Sequence, residues 1–282
     1  MTFQLVRDLL LGVNLQVNSK LVQIVEIEVY LFPDPYIHGS DEQKYSGRWY
    51  FHKMGSNPGP VGFKNGTYKG LDLSWGTPEA PGGFLIRSIC NGTELIEGPS
   101  KVVDFILAET NSASIQDLVK LSACYPPRCD DPSFPLSLIS LSPTERRTQP
   151  IFSGPRVGLT YRSDSASAFY YGAKLRFTTS PKLKKNKFSL VLSFLGNSEV
   201  FADLEQTKPA GRQEDKPIVK IECDEHEIWA AIQTFGTSEK IILKWWQDYC
   251  QGMTSFEITE AIGKTVPQSC RLYGFLRRSF HE

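Results

Sequence analysis

The stretch that decides the fold is LVQIVEIEVYL, residues 21–31, which has the period-two pattern of a β-strand. One set of alternate side chains is apolar and belongs in a core. The other set ends with Glu26, Glu28 and Tyr30, so we expect the strand to present these groups in a cleft. Carboxylates two apart on a strand lie about 7 Å apart at Cα, close enough to disfavour double ionisation when partly buried. One of them could then act as a base or an acid. A solvated outer face is the alternative interpretation.

Composition limits the partners and the compartment. The chain has 282 residues, and no apolar run approaches the roughly 18 residues of a membrane span. Its start lacks a secretory cleavage site, and its six cysteines are scattered without a framework, which suits a reducing compartment. We therefore expect a nuclear or otherwise intracellular protein with no membrane partner. Lys plus Arg equals Asp plus Glu at 31 each, so no overall field draws the chain onto phosphates.

The first half reads as a mixture of helices and strands. Residues 5–11 have the spacing of a short helix, and residues 67–89 read as strand, turn and strand. A helix is predicted from Gly98 to about Glu109, with Pro99 at its first position. Residues 32–66 are predicted to form a long loop. Its aromatic and basic side chains could stack nucleic-acid bases or simply pack over the core; they are Tyr45, Arg48, Trp49, Tyr50, Phe51 and His52.

Arg87 is unusual because it lies inside an apolar strand, residues 84–89. A buried, unpaired charge is costly, so this guanidinium needs a partner. A carboxylate or a phosphate would serve.

Several stretches, in order, resemble one family. The chain is similar to the alkyladenine DNA glycosylases, also called 3-methyladenine or N-methylpurine DNA glycosylases, over residues 4–178. Each motif alone is weak, whereas their common order is more specific. The matching stretches are the opening helix ending in Leu11-Gly12, the strand IVEIEVYL at 24–31, His38, FLIR at 84–87, GPSK at 98–101, and PRVGL at 155–159 with LRF at 175–177.

The resemblance implies a fold and a set of roles. The fold is α+β, a mixed, curved antiparallel sheet with helices. Glu28 matches the carboxylate that activates water, and Arg87 matches an arginine beside the catalytic site that contacts the DNA backbone. Tyr30 and His38 match the residues that hold the flipped base. The implied activity is hydrolysis of the N-glycosidic bond of an alkylated or deaminated purine in DNA, as a step of base excision repair.

The departures concern the contact with duplex DNA. Family members carry a tyrosine that wedges into the duplex and an asparagine that screens bases, in a segment that corresponds here to residues 68–76. Tyr68 is the candidate for the wedge and Asp72 for the screen. These departures weaken the case for duplex DNA and for alkylated purines more than the case for a base-binding pocket.

Domain boundaries follow from composition. We expect a glycosylase-like domain at 1–180, a linker at 181–219, and a small helical domain at 220–282. Residues 255–272 loosely resemble a helix-turn-helix, with Gly263 in the turn and Arg271 on the second helix, although a plain helical hairpin is the more common arrangement.

No cofactor or metal is expected. Cys124 with Cys129, or Cys223 with His226, would supply only half of a zinc site. The proposed strand carries no lysine for lyase chemistry, so the sequence predicts a monomeric, monofunctional enzyme whose partner is DNA. A catalytically inactive nucleic-acid or partner-binding protein on the same fold, and hydrolysis of a bulky lesion or a free nucleoside, are the alternatives.

Overall fold

A computed structural model describes residues 2–55, 62–195, 225–255 and 265–281. The strands are β1 (Val13–Val17), β2 (Lys20–Leu31), β3 (Trp49–Phe51), β4 (Leu71–Ser74), β5 (Gly82–Asn91), β6 (Glu94–Glu97), β7 (Leu136–Ser140), β8 (Phe152–Gly154) and β9 (Arg176–Thr178). The α-helices are α1 (Thr2–Arg7), α2 (Pro99–Glu109), α3 (Ile115–Val119), α4 (Ser165–Gly172), α5 (Lys187–Leu195), α6 (Glu225–Phe235), α7 (Glu239–Ser255) and α8 (Val266–His281). A π-helical turn, Asp8–Gly12, follows α1, and 3-10 turns lie at Asp41–Lys44 and Gly66–Tyr68.

The chain divides into two compact units. Unit 1 comprises Met1–Ile151 and Leu175–Ser180, and unit 2 comprises Phe152–Lys174 and Pro181–Glu282. Residues 152–174 therefore belong to the second unit, although the division by composition at residue 180 assigns them to the first domain.

Unit 1 is built on β2, the longest strand. One edge of β2 pairs with β5 over most of its length, while the other edge pairs first with β1 and then with β9. The order continues as β3-β4-β5-β2-β1-β7, with β6 beside β5, and these pairs are antiparallel. The structure therefore confirms the predicted α+β class with a curled antiparallel sheet.

The core of unit 1 lies between the sheet and the helical segments. Ile24, Ile27 and Val29 of β2 are almost fully buried together with Leu10 of the opening helical segment and Ile106 of α2. α2 begins at Pro99 as predicted, because the missing proline N–H costs nothing in the first turn of a helix. Burial at this level is the main source of stability for such a sheet.

The prediction of a long loop at residues 32–66 is wrong at residues 49–51. Trp49, Tyr50 and Phe51 form β3, pair with β4 and are at most 3% exposed. The Trp49 Nε1–H donates to the carbonyl of Leu136 at 2.9 Å. Three aromatic side chains bury enough apolar area to fix a short strand inside a segment rich in turn residues.

Unit 2 is mainly helical. α6 has the predicted bounds, α7 extends the predicted helix to Ser255, and α5 lies within the predicted linker. α7 and α8 approach at two glycines: a Cβ on Gly252 would lie 1.9 Å from the carbonyl oxygen of Arg271, and one on Gly274 would lie 2.0 Å from that of Tyr249. No helix among the described residues is both long and apolar enough to cross a membrane.

Candidate functional site

The two carboxylates of β2 are buried. Glu26 is 3% exposed and Glu28 is 0% exposed, so they do not open into the cleft that the alternating pattern predicts. The pattern correctly places them on one face, but it carries no information about the side chains that cover that face. Arg87 and Arg176 pair with these carboxylates.

Glu28 is held by Tyr30 and Arg87. The Tyr30 hydroxyl donates to Oε2 of Glu28 at 2.9 Å, and the Arg87 Nη1 lies 3.1 Å from the same oxygen. The carboxylate partner that the apolar setting of Arg87 requires is therefore present. Burial alone would lower the pKa of Arg87, but the two carboxylates, Glu28 before Glu26, raise it above its usual value.

Glu26 is paired with Arg176 of β9, at the edge of β2 opposite to the strand that carries Arg87. Arg176 on β9 donates from Nε to Oε1 at 2.6 Å, and the Ser88 hydroxyl donates to Oε2. Burial favours the neutral acid, but the charge of Arg176, with help from Arg87 and Ser88, holds the pKa of Glu26 below its usual value. Both partners are nearly inaccessible, with 2% of the Arg176 side chain exposed. We call Glu26, Glu28, Arg87 and Arg176 the carboxylate–arginine cluster.

Arg87 is incompletely satisfied within this cluster. Its Nε lies 3.4 Å from Oε1 of Glu26, yet this nitrogen is buried without a hydrogen-bond partner. The guanidinium thus balances two carboxylates while one of its donors is unused, which makes it the least firmly held member of the cluster.

Asp72 lies in a second polar cluster. It is 3% exposed on β4, where Oδ1 is 2.8 Å from Nε2 of His52 and Oδ2 accepts from the Gln43 amide at 3.0 Å. Screening of bases at a protein surface requires an accessible side chain, and Asp72 is instead a buried acceptor.

His38 completes this cluster at the surface. Its ring centroid lies 4.2 Å from that of His52, and its Nδ1 is 3.3 Å from the Tyr50 hydroxyl. The residue as a whole is exposed, but ring packing reduces its solvation. That loss, with repulsion from His52, lowers the pKa of His38 to about 4. We call His38, Tyr50, His52 and Asp72 the histidine–aspartate cluster.

Two glycines leave room for this cluster. A Cβ on Gly70 would lie 2.5 Å from Cε1 and Nδ1 of the His52 ring, and a Cβ on Gly83 would lie 3.2 Å from Cβ of Asp72. The imidazole of His52 therefore lies directly on the chain at Gly70, where a side chain would displace it.

The two clusters share one face of the sheet. Asp72 pairs with Leu85 across β4 and β5, and Leu85 pairs with Glu28 across β5 and β2. Directly paired residues point to the same side, so Asp72 and Glu28 face the same way two strands apart, about 10 Å at Cα.

Tyr68 lies on the outside of unit 1. It is 77% exposed at the end of the 3-10 turn Gly66–Tyr68. This turn is fixed to α2, because the Ser100 hydroxyl donates to the carbonyl of Gly66 at 2.7 Å. Tyr68 is thus a large aromatic side chain on a supported turn, two residues before the glycine that contacts His52.

A surface pocket of about 530 Å³ lies elsewhere in unit 1, at the segments that precede β3 and follow β4. Arg48, Trp75 and Arg128 contribute to its wall. None of the six predicted site residues is among its lining residues.

The half zinc sites and the helix-turn-helix resemblance lie partly outside the described residues. No group of three or more His, Cys, Asp or Glu in those residues is arranged to hold a metal. Cys223 lies outside the described residues, as does the turn of the helix-turn-helix with Gly263. Arg271 forms an ion pair with Asp248 of α7 at 3.0 Å.

Arg176 received no functional role from the sequence, and His52 was named only among the side chains that could stack bases or pack over the core. LRF at 175–177 is one of the family motifs, which was the available signal for Arg176. His52 lies beside the aromatic run, and nothing local indicates that it pairs with Asp72, 20 positions later.

Fold and site together define an α+β protein whose sheet carries two polar clusters, each built on buried carboxylates. No family model matches the chain. An uncharacterized protein of Acanthamoeba polyphaga mimivirus, L759, is 32% identical over 162 residues, which cover 51% of this chain and 71% of the viral protein. The chain therefore belongs to the same family as protein L759, whose name assigns no activity.

Proposed function

We propose that this protein is a DNA glycosylase that hydrolyses the N-glycosidic bond of a modified purine, on a fold like that of the alkyladenine DNA glycosylases. The observation that carries the proposal is the contact of Glu28 with both Tyr30 and Arg87, at 2.9 Å and 3.1 Å. The family resemblance assigns these three residues to one catalytic site, and they lie together on one sheet face.

The reaction needs a base at the anomeric carbon. Glu28 would accept a proton from water as the water oxygen bonds to C1′ and the C1′–N9 bond breaks, with its electron pair leaving on the purine. The purine must first leave the duplex stack, because its glycosidic bond is inaccessible inside it.

Arg87 would couple DNA binding to this step. Glu28 is fully buried and paired with Arg87, so its surroundings would have to move before water reaches it. The Arg87 Nε has no hydrogen-bond partner in the cluster. A DNA phosphate could accept from this nitrogen and from a second guanidinium nitrogen at the same time. Phosphate binding would thus free Glu28 as the base when a substrate is in place.

Base and duplex contacts would come from exposed residues. His38 is an exposed residue, and Tyr68 is exposed enough to enter a duplex. Tyr30 would then act mainly by orienting Glu28, with its ring beside the base. The proposal includes DNA as the partner, a monomeric, monofunctional enzyme without a cofactor, and a nuclear or other intracellular location.

The test is an assay of base release from single- and double-stranded oligonucleotides that carry hypoxanthine, ethenoadenine or methylated purines. Wild type should release a base, and Glu28→Gln should abolish release. Glu26→Gln is the matched control, because it removes the other buried carboxylate of β2 and should leave measurable release. Circular dichroism establishes that both variants fold. Equal release by wild type and Glu28→Gln would overturn the role of Glu28.

A second candidate is a nucleic-acid-binding protein without catalysis. The complete burial of Glu28, together with its pairing to Arg87, favours a structural role for the carboxylate. In that case wild type binds oligonucleotides but releases no base from any of them, and Glu28→Gln changes stability but not affinity.

A further inference from the structure

We propose that the surface pocket of unit 1 is a nucleotide-binding site, in which two arginines hold the phosphate and an exposed aromatic ring stacks on the base. The ligand class is a nucleoside 5′-monophosphate unit, either free or within a single strand of nucleic acid. The site is separate from the proposed catalytic site, and the inference does not depend on base release. The residues that carry it line the pocket: Tyr45, Arg48, Trp75 and Arg128.

The size and construction of the pocket suit a small ligand. Its volume of about 530 Å³ lies within the range of pockets that hold small molecules. Its wall is formed by residues 44–48 before β3, residues 75–78 after β4, and residues 128–130. Gly47 joins these segments, because its N–H donates to the carbonyl of Ser74 at 2.9 Å and its carbonyl accepts from the Cys129 N–H at 3.0 Å. The wall is therefore built on paired backbone.

Two arginines stand directly opposite each other in this wall. Arg48 and Arg128 form an isolated antiparallel bridge, so their side chains leave the backbone on the same side. Like charges in directly opposite positions are destabilising. An anion between the two guanidiniums would relieve this repulsion.

The partners of the two arginines are unequal. Arg128 donates to both carboxylate oxygens of Asp130, at 2.7 Å and 2.6 Å. The Nη1 of Arg48 donates to Sγ of Cys124 at 3.2 Å and to the carbonyl of Pro126 at 3.1 Å. In the part of the chain that the structure describes, no carboxylate forms an ion pair with Arg48. One carboxylate therefore serves two guanidiniums.

The remaining charges do not change this balance. Lys44, a further cation of the lining, pairs with Asp41 at 2.7 Å. The hydrogen bond and the charge of Arg128, followed by the charge of Arg48, hold the pKa of Asp130 below its usual value. Both arginines thus already attract the one carboxylate of the lining, and a positive charge is left over. A phosphate has enough oxygens to accept from two guanidiniums at once.

The aromatic side chains of the pocket point to more than an inorganic anion. Tyr45 is 57% exposed, and Trp75 is partly buried with its ring centroid 6.5 Å from that of Phe84. An aromatic ring beside a cationic groove is the combination by which proteins hold single-stranded nucleic acid, the ring under a base and the cations on the backbone. Since residues 49–51 are buried, Tyr45 is the ring of the aromatic run that remains for stacking.

The pocket lies near the end of β2 that follows Tyr30. The Trp75 N–H donates to the carbonyl of Gly82 at 2.8 Å, and Gly82 pairs with Leu31. None of the proposed catalytic residues lines the pocket. In a bound single strand, the nucleotide here would therefore be a neighbour of the one held at Glu28. A free nucleotide is the other source of the same chemistry.

The test is calorimetric titration of the full-length protein with 5′-dAMP, deoxyadenosine and inorganic phosphate. Wild type should bind 5′-dAMP about tenfold more tightly than either fragment, because charged hydrogen bonds and stacking both contribute. Arg128→Gln leaves Asp130 unpaired in the wall, so it should weaken 5′-dAMP about tenfold and leave deoxyadenosine almost unchanged. Tyr45→Ala should weaken 5′-dAMP and deoxyadenosine alike, by about tenfold, and leave inorganic phosphate unaffected.

Arg146→Gln is the matched control. Arg146 is another half-exposed arginine, paired with Asp8 at 2.9 Å, and it does not line the pocket. Its variant should bind all three probes as wild type does. Tyr45 and Arg128 are exposed residues, so their variants should fold, which circular dichroism establishes.

A single strand of deoxyadenylate distinguishes the two sources of the ligand. A strand that binds more tightly than 5′-dAMP and is weakened in both variants supports the site as part of a strand-binding surface. Tighter binding of 5′-dAMP, weakened in the same variants, supports a site for a free nucleotide. Inorganic phosphate that binds as tightly as 5′-dAMP, absence of binding to both 5′-dAMP and the strand, or affinities that neither variant changes would overturn the inference. These outcomes are independent of base release, which tests the proposed function separately.

Discussion

The carboxylate–arginine and histidine–aspartate clusters place buried carboxylates on the same face of one sheet, but they balance charge differently. In the first, two carboxylates face two guanidiniums. In the second, Asp72 faces an imidazole, and a further imidazole reaches the surface. The first cluster is therefore closed by ion pairs, while the second ends at an exposed imidazole.

The largest effect is expected at Arg176. Arg176→Met keeps the volume but leaves Glu26 as a buried carboxylate whose remaining guanidinium, Arg87, is poorly aligned with it. The free energy of unfolding, measured with urea, should fall by about 3–5 kcal/mol. Arg128→Met removes an exposed partner of Asp130 and should leave the urea midpoint almost unchanged. Similar small shifts in both variants would show that the carboxylate–arginine cluster contributes no more than a surface pair.

The next effect concerns the packing of His52. Gly70→Ala would force a Cβ to within 2.5 Å of the imidazole, so stability should fall by about 1–3 kcal/mol in urea unfolding. Gly62→Ala is the control, since its added Cβ meets only the flexible end of Met54 at 3.3 Å. An unchanged stability in Gly70→Ala would mean that His52 can move aside at no cost.

The pH dependence of stability separates the two clusters. The pKa of His38 is about 4 in the folded chain against 6.5 in the unfolded chain, so the unfolded chain takes up the proton first. Stability should decline as pH falls from 6.5 towards 4. The pKa of Glu26 is lowered from 4.5, so its contribution is present above that pH and is lost at lower pH.

Urea unfolding at a series of pH values tests this assignment. His38→Gln should flatten the decline in the upper interval and leave the loss below pH 4.5 in place. A decline that persists between pH 6.5 and 4 in His38→Gln would assign it to another group.

The smallest effect on stability is expected at Tyr68. Since Tyr68 is 77% exposed, Tyr68→Ala should change the free energy of unfolding by less than about 0.5 kcal/mol. Tyr50→Phe, which deletes the buried hydroxyl bound to His38, should cost about 1 kcal/mol. If Tyr68→Ala were the more destabilising variant in thermal unfolding, Tyr68 would be a packing residue and not an accessible candidate for a DNA contact.

The local sequence pattern was sufficient to predict several elements of secondary structure. The strand at 21–31, the start of α2 at Pro99 and the bounds of α6 follow from periodicity and from proline chemistry. The local sequence also predicted that Arg87 needs a partner of opposite charge, because a buried, unpaired charge in an apolar strand is costly.

The features that the sequence did not predict depend on pairing between residues far apart in the chain. The burial of Glu28 depends on a guanidinium that β5 supplies, and the burial of Glu26 depends on Arg176, 150 positions later in the chain. The strand at Trp49–Phe51 exists because β4 pairs with it. None of these contacts leaves a periodic signal near the residue concerned, so sequence reasoning placed the side chains on the right face without finding what covers them.

The interrupted course of unit 1 has a consequence for the order of synthesis. The chain leaves unit 1 after Ile151 and returns at Leu175, and the returning strand supplies the partner of Glu26. A ribosome that has released only the first 151 residues has therefore produced a sheet with an unsatisfied edge and a carboxylate that cannot yet be buried at low cost. Unit 1 reaches its final form only after the intervening part of unit 2 has been translated, which couples its maturation to a segment that it does not contain.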